Sequence, residues 1–421
     1  MFSFGNLNFS RNNEDSVILP TKCRLKSFTV QGTNIQPHVI ELNVYESIYK
    51  PYITIHAELL DNSPGGIIKN LGLKSGDPIT FSFDAIEGRS YDGQVYLLGV
   101  KGETKNDSLR AVHYIVKGIG SSWMKDQQTL VKQAYQHIPA TQVISAIHNS
   151  YVGGDGGLRI LEGSIGPVDK EVHRVLGMRP FKAIDDLKDR CIYGSCKSGS
   201  TMYYRDRDGY VLAPLEVMFR QMGNQQTFVQ DNTLGRFITD FEKAKNSIVA
   251  IHSLVDEEEV GRIGATKAAS AAGQGLGHFN LRSKKNTILP PKMMLSGMVG
   301  QIISSVTQHG GKPNFFAFDP SKLDKAQQPF QKARDEWAYK AAFKNGVQFA
   351  VKVSINTDID VTVGKGVYLK LVPPQGDLTT DVGADQSGTY LVTTLVHTMK
   401  FDDRMFNGFT AFECAKGGGV A

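Results

Sequence analysis

The residues of this 421-residue chain best suited to chemistry are its four cysteines, ten histidines and two close-set aspartate groups. Cys191 and Cys196 are separated by four residues, not two, and no histidine pair completes a zinc pattern with them, Cys23 or Cys414. The thiols are therefore expected to be scattered and mostly reduced, as suits a chain assembled in the cytosol. His56, His113 and His397 fall in predicted strands, on polar or boundary faces. Neither a His-Glu-x-x-His pattern nor a Ser/Cys-His-Asp order can be picked out around them. A hydrolase needs a positioned acid and base, and groups that meet only on folding leave that class open.

The aspartates of "RDRDG" (205–209) and "NTDID" (356–360) begin as a calcium loop would, without its later ligands or terminal Glu. The first is read as a hairpin turn and the second as an exposed strand edge. "YVGGDGGLRI" (151–160) lacks the Lys–Ser/Thr of a phosphate-binding loop, and "GQGLG" (273–277) falls short of a dinucleotide fingerprint. Both are read as turns. "RSKKN" (282–286) reads as a solvated basic loop, and the Met-rich face at 293–299 as core or subunit contact. The expectation is a chain with no catalytic, cofactor-binding or metal-ligating residues.

Composition narrows the classes further. At 41% hydrophobic and 21% charged the chain is ordinary for a folded protein, and its length suits two to four domains. Forty-three glycines favour a turn-rich β protein. A net charge of +5 is too small to argue for nucleic-acid binding without clustering on one face. "MFSFGNLNFSRNNEDS" has no basic segment followed by an apolar run, so no signal peptide is expected. No apolar stretch approaches the ~20 residues a spanning helix needs, so no membrane anchor is expected.

The elements that must position any site follow from periodicity. "HVIELNVY" (38–45) sets Ile40, Leu42 and Val44 against Glu41 and Asn43, and "YITIHAELLD" (52–61) sets Ile53, Ile55, Ala57 and Leu59 against polar neighbours. "GDPITFSF" (76–83), "GRSYDGQVYLLGVKGE" (88–103) and "RAVHYIVKG" (110–118) continue the series. A period of two with polar alternates marks antiparallel strands with one buried face, and several short strands at this spacing suggest a small barrel or sandwich over 1–118. Between 119 and 215 helical spacing takes over, in "PATQVISAIHNSY" (139–151) and "RPFKAIDDLKDRCI" (179–192). "STMYYRDRDGYVLAP" (200–214) follows as a hairpin turning at Asp208–Gly209. This segment is expected to be an α/β module.

Strands return in 216–255 and again in 343–421, ending in "GKGVYLKLV" (364–372), "QSGTYLVTTLVHTMKF" (386–401) and "FNGFTAFECAKG" (406–417). Between them, 256–342 is expected to be a helical insertion with a flexible Ala/Gly-rich loop and helices at 293–306 and 330–342. "GKGVYLKL" stands where "GDPITFSF" stands in the first block, each followed by a loop and two long strands. The reading is an α+β, mainly antiparallel fold with two similar small β-barrels, the second split by the insertion.

Three stretches carry a family resemblance. They are Tyr45-Glu46-Ser47-Ile48 with Pro51-Tyr52-Ile53, then Gly72-Leu73 with Gly76-Asp77 and Ile79, and "RPFKAIDDLKDRCI" with the hairpin ending "RDGYVLAPLE" (207–216). In these the chain resembles the central baseplate hub proteins of contractile-tailed bacteriophages, whose fold is shared with type VI secretion spikes. The Ala/Gly/Ser-rich insert at 260–277 departs from that pattern. The resemblance implies a structural virion protein without enzymatic activity, located in the tail baseplate and assembled in the host cytoplasm. As a homotrimer it would present a pseudo-six-fold ring of barrels, joining the six-fold tail tube protein to the three-fold central spike protein and touching other baseplate proteins. DNA would cross its lumen during ejection without specific binding. A cell-wall hydrolase of the same tail, a glycan-binding tail protein with a groove around Tyr203, Tyr204 and Tyr210, and a hub of a phage-tail-like secretion particle are the alternatives.

Overall fold

The computed structural model describes residues 22–63, 66–85, 90–106, 111–153, 156–164, 172–188, 191, 193, 201–221, 226–230, 245–253, 277–280, 285–288, 350–356, 358–371, 387–402 and 405–416. The chain opens with seven strands: β1 (Lys22–Val30), β2 (Thr33–Asn34), β3 (Val39–Ser47), β4 (Thr54–Asp61), β5 (Pro78–Ala85), β6 (Ser90–Asn106) and β7 (Ala111–Gly120). A short helix, α1 (Ile67–Leu71), precedes β5. Ile53, Ile55, Ala57 and Leu59 all turn inward, as do Ile79, Phe81 and Phe83, because period-two alternation presents each set to one face. In β3 the expected phase slips. A bulge between Val39 and Glu41 puts Val39, Leu42 and Val44 inside and leaves Ile40 half-buried.

The middle segment mixes helices and strands: α2 (Ser121–Gln128), β8 (Val131–Gln136), α3 (Ala140–Ile147), β9 (Leu158–Ile160), β10 (Val172–Met178), α4 (Pro180–Lys188), β11 (Thr201–Asp206), β12 (Gly209–Pro214) and α5 (Leu215–Arg220). Val143, Ile144 and Ile147 of α3 share one core with Ala183, Ile184 and Leu187 of α4, the faces their helical spacing predicts. The β11–β12 turn falls one residue earlier than expected. Asp206 pairs with Gly209, so Arg207 and Asp208 form the loop and Gly209, at φ 133°, opens β12.

The last strands are β13 (Gln226–Val229), β14 (Ile248–Ser253), β15 (Gly277–Asn280), β16 (Lys285–Ile288), β17 (Ala350–Asn356), β18 (Gly366–Lys370), β19 (Gly388–Asp402) and β20 (Met405–Lys416). The helices expected at 293–306 and 330–342 lie outside the described residues. Within 256–342 the described residues form the antiparallel pair β15–β16.

One 13-stranded sheet carries the architecture, and its pairing order repeats. β3, β4, β7, β6 and β5 neighbour one another in that order, and β14, β17, β20, β19 and β18 do the same. The match extends to single residues. Tyr96 and Leu97 of β6 face Ile119 and Gly118, after which the register slips at Leu98. Leu391 and Val392 of β19 face Ala415 and Cys414, after which it slips at Thr393. The slip between Val39 and Glu41 recurs between Ile248 and Ala250. Gly76 donates its amide to the Leu97 carbonyl across 2.7 Å, and Gly364 donates to that of Val392 across 2.8 Å. The two stretches that look alike in sequence, 88–103 and 386–401, thus occupy the same place in two half-sheets.

The halves are continuous with each other. The β19–β20 hairpin has its base in the second half, and its tip reaches the first, where Thr394–Lys400 pair with Ser47–Glu41 of β3 and Phe406–Asn407 pair with Cys23–Lys22 of β1. Following partners from β3 through β4, β7, β6, β5, β1, β20 and β19 returns to β3. In the second half, a bridge between Val229 and Ser247 brings the end of β13 beside the start of β14. One apolar core gathers Phe28, Leu42, Ile55, Phe81, Phe83 and Val95, and another Phe228, Ile355, Leu369, Leu391 and Phe412. Full burial of each such side chain contributes about 1.5–3 kcal/mol.

Candidate functional site at the junction of the halves

The seam between β19 and β3 is where the two halves and the middle module meet. The Ile48 amide donates to the Thr393 carbonyl across 2.9 Å, at the β19 bulge. Further along, the Thr398 hydroxyl donates to Asn43 Oδ1 at 2.6 Å. A buried polar group sits inside the seam. Alternation carries Leu42 and Val44 inward and therefore Glu46 as well, which is 2% exposed. The Tyr91 hydroxyl donates to Glu46 Oε1 at 2.7 Å, and burial pushes the Glu46 carboxyl up to about 7. His397 is 1% exposed, its Nδ1 lies 2.9 Å from Thr410 Oγ1, and its ring meets Tyr91 edge-on at 5.7 Å. Burial first, then the Arg207 charge, pushes His397 down to about 3, so its imidazole is neutral.

The β11–β12 hairpin locks onto this seam through its loop. Arg207 donates to the Ser90 carbonyl of the first half at 2.9 Å and to the Ile359 carbonyl of the second at 3.2 Å. Asp206, 4% exposed, pairs with Arg159. The hairpin body is shared between cores: Tyr203, Tyr210 and Leu212 face the module, while Met202, Tyr204, Val211 and Ala213 face the second half. Tyr203, Tyr204 and Tyr210 are all buried, so these side chains do not line an exposed groove.

Other residues singled out in sequence are also placed. His397 is fully buried, not on a boundary face, because its ring packs against those of Tyr91 and Phe83. His56 packs edge-on against Tyr45 at 5.1 Å, and His113 Nε2 lies 3.2 Å from Glu58. The aspartates of 205–209 and 356–360 cap their own turns: Asp206 Oδ1 accepts from the Asp208 amide at 2.9 Å, and Asp358 Oδ1 from the Asp360 amide at 2.8 Å. Asp358 is 3% exposed, so the second group is a buried turn and not the exposed edge expected. Cys191 and Cys414 are buried and Cys23 half-buried, and burial pushes Cys23 up to about 12. Cys196 lies outside the described residues. Among the described residues no three His, Cys, Asp or Glu side chains are grouped to hold a metal, and no helix is long and apolar enough to cross a membrane. Glu46 and His397 are an acid and a base close to the same tyrosine, but their burial closes both to a substrate. What the seam does is hold elements together. Glu46 was missed in the sequence, although the Leu42, Val44, Glu46 alternation marks it as inward.

No family model and no curated protein matches the chain. Solved structures do. The 43 kDa tail protein of prophage MuSo2 from Shewanella oneidensis superposes with a TM-score of 0.54 at 7% identity, over 94% of this chain and 98% of that one. The tail protein from Neisseria meningitidis MC58 gives a TM-score of 0.53 at 10% identity, over 94% of this chain and 96% of that one. The structural neighbours are phage tail proteins, and the fold is theirs: mostly antiparallel β, with five helices among the described residues and one large sheet.

Proposed function

We propose that the protein is a structural, non-enzymatic hub of a contractile phage tail, acting in the virion baseplate. The observation that carries this reading is the repeat of pairing order, bulges and glycine-capped turns in two halves of one chain. Two similar β-barrels per chain let a homotrimer present six quasi-equivalent barrels to a six-fold tube and three-fold symmetry to a spike. The likeness to tail proteins over nearly the whole chain supports the same reading.

In this assembly residues 1–118 form the first tube-like barrel, and 216–255 with 343–421 the second. The α/β module of 119–215 and the insertion of 256–342 lie outside the ring, toward the spike and other baseplate proteins. The lumen passes DNA without gripping it, since multiple phosphate contacts would hold the passing strand. The chain is assembled in the host cytoplasm and needs no cofactor. Native mass measurement together with electron micrographs of the purified chain tests the reading. A trimer with six lobes around a pore is expected; a monomer at all concentrations, without rings, overturns it.

A further inference from the structure

The end of the β11–β12 hairpin, "RDRDG" (205–209), sets four successive charged residues against the buried carboxyl of Glu46. The other sides of that carboxyl belong to the sheet. β3 carries Glu46 between β4 and β19, the Tyr91 hydroxyl of β6 donates to it at 2.7 Å, and the Val363 amide faces it from the turn ahead of β18. On the hairpin side stand Asp206, whose charge opposes ionisation of Glu46, and Arg205, whose charge favours it. Arg207 acts on Tyr91 and His397 behind the carboxyl.

The cations of this end are already engaged. Arg159 of β9 pairs with Asp206, Arg205 lies over the Tyr210 ring at 5.7 Å, and Arg207 donates to the Ser90 and Ile359 carbonyls. An ionised Glu46 would therefore add a second buried carboxylate beside Asp206, and a buried charge without its own partner is costly. The hairpin end is also lightly held. Besides the two Arg207 bonds it has Arg207–Asp360 at 3.8 Å and Asp208–Lys365 at 3.9 Å, ion pairs between partly exposed groups that contribute little. The apolar anchors Met202, Tyr204, Val211 and Ala213 come from the body of the hairpin. β3, by contrast, is laddered to both β4 and β19.

We propose that Glu46 and the hairpin end form a proton-operated latch. With the carboxyl neutral, residues 205–209 stay docked on the seam; its ionisation lifts them, admits water and loosens the grip of the α/β module on the junction. The direction follows from linkage. Docked, burial holds the carboxyl up to about 7; lifted and hydrated, it returns toward 4.5. Opening thus releases a proton, so the open fraction rises about tenfold per pH unit between those values and levels off above. Asp206, which burial also raises, adds in the same sense at the acid end. His397 does not oppose it, because the Tyr91 and Phe83 rings and Thr410 stay against its imidazole when the hairpin end lifts. The latch does not depend on the hub reading.

Amide exchange of the full-length chain at pH 5 and pH 7.5 tests it. Rates at 205–210 are divided by those in β4 and β7, so that the intrinsic pH dependence of exchange cancels. The ratio should rise roughly a hundredfold between the two pH values. A flat ratio in the parent protein overturns the latch without recourse to any variant. Glu46→Gln keeps an acceptor for Tyr91 and cannot ionise, so its ratio should stay constant; a rise equal to the parent's assigns the effect to another group and overturns the proposal. Asp206→Asn removes the facing charge and should shrink the rise severalfold. An undiminished rise in that variant would mean that the hairpin end does not govern the carboxyl.

Discussion

Tyr91 and Glu46 are bound to each other inside the seam, hydroxyl to carboxyl at 2.7 Å, with Glu46 only 2% exposed. Burial raises the Glu46 carboxyl from 4.5 to about 7. Between those values the folded chain keeps a proton that the unfolded chain releases. The stabilisation is therefore complete below about 4.5 and is lost as pH rises toward 7, at about 1.4 kcal/mol per pH unit. Glu46→Gln keeps an acceptor for Tyr91 and removes the titration. Urea midpoints for this variant should not fall between pH 4.5 and 7 from this cause; an unchanged profile would sink the assignment.

His397 works in the opposite sense. Burial lowers it from 6.5 to about 3, so within that window the unfolded chain takes a proton that the folded chain refuses. Its stabilisation is present above 6.5 and is lost as pH falls toward 3. Between 4.5 and 6.5 the two slopes oppose and largely cancel, leaving the parent protein nearly flat. Removing one partner exposes the other: Glu46→Gln should lose stability on acidification through that window, and His397→Gln should gain it. Parallel profiles for the two variants would contradict this pairing.

Much of this scaffold was legible in the sequence, for reasons specific to each element. Alternation located β4 and β5 and their inward residues Ile55, Ala57, Phe81 and Phe83, since period two is a local property of the backbone. It misplaced Ile40 because a bulge adds a residue without leaving a mark in the letters. The likeness of 88–103 to 386–401 was visible as strand order. Which strand receives β19 was not, because Thr394 and Ser47 lie far apart in sequence and their pairing is decided by the assembled sheet. His397 looked like a boundary residue for the same reason: Tyr91 and Phe83, whose rings pack against it, come from far outside the window in which its own strand is read.

Arg207 ties three parts of the chain with two carbonyl bonds, to Ser90 and Ile359, from the loop between β11 and β12. Charged hydrogen bonds of this kind are each about 1.5–3 kcal/mol, and exposure of the side chain reduces that. Arg207→Ala should cost about 1–3 kcal/mol in global stability. It should also speed amide exchange in β11 and β12 ahead of β4 and β7, since the hairpin loses its anchor while the first half keeps its own ladder. Uniform acceleration across all four strands would argue against a docking role.

Gly76 and Gly364 cap the same turn in the two halves, both with positive φ, +95° and +79°. A side chain at either carries backbone strain of about 1–2 kcal/mol. Their surroundings differ sharply. A Cβ on Gly76 would find Met124 Cε at 3.9 Å, an ordinary contact, whereas one on Gly364 would fall 2.0 Å from the Tyr204 hydroxyl oxygen. Gly76→Ala should therefore cost about 1–2 kcal/mol from strain alone. Gly364→Ala adds overpacking against the hairpin and should cost about 3 kcal/mol or more. Adding Tyr204→Phe should recover part of the second loss and none of the first, because the hydroxyl is the nearest atom that must move. Equilibrium denaturation of these four variants and of Tyr204→Phe alone closes both cycles. Equal costs at the two glycines, or no coupling between Tyr204 and Gly364, would mean that the hairpin does not press on the second half at this turn.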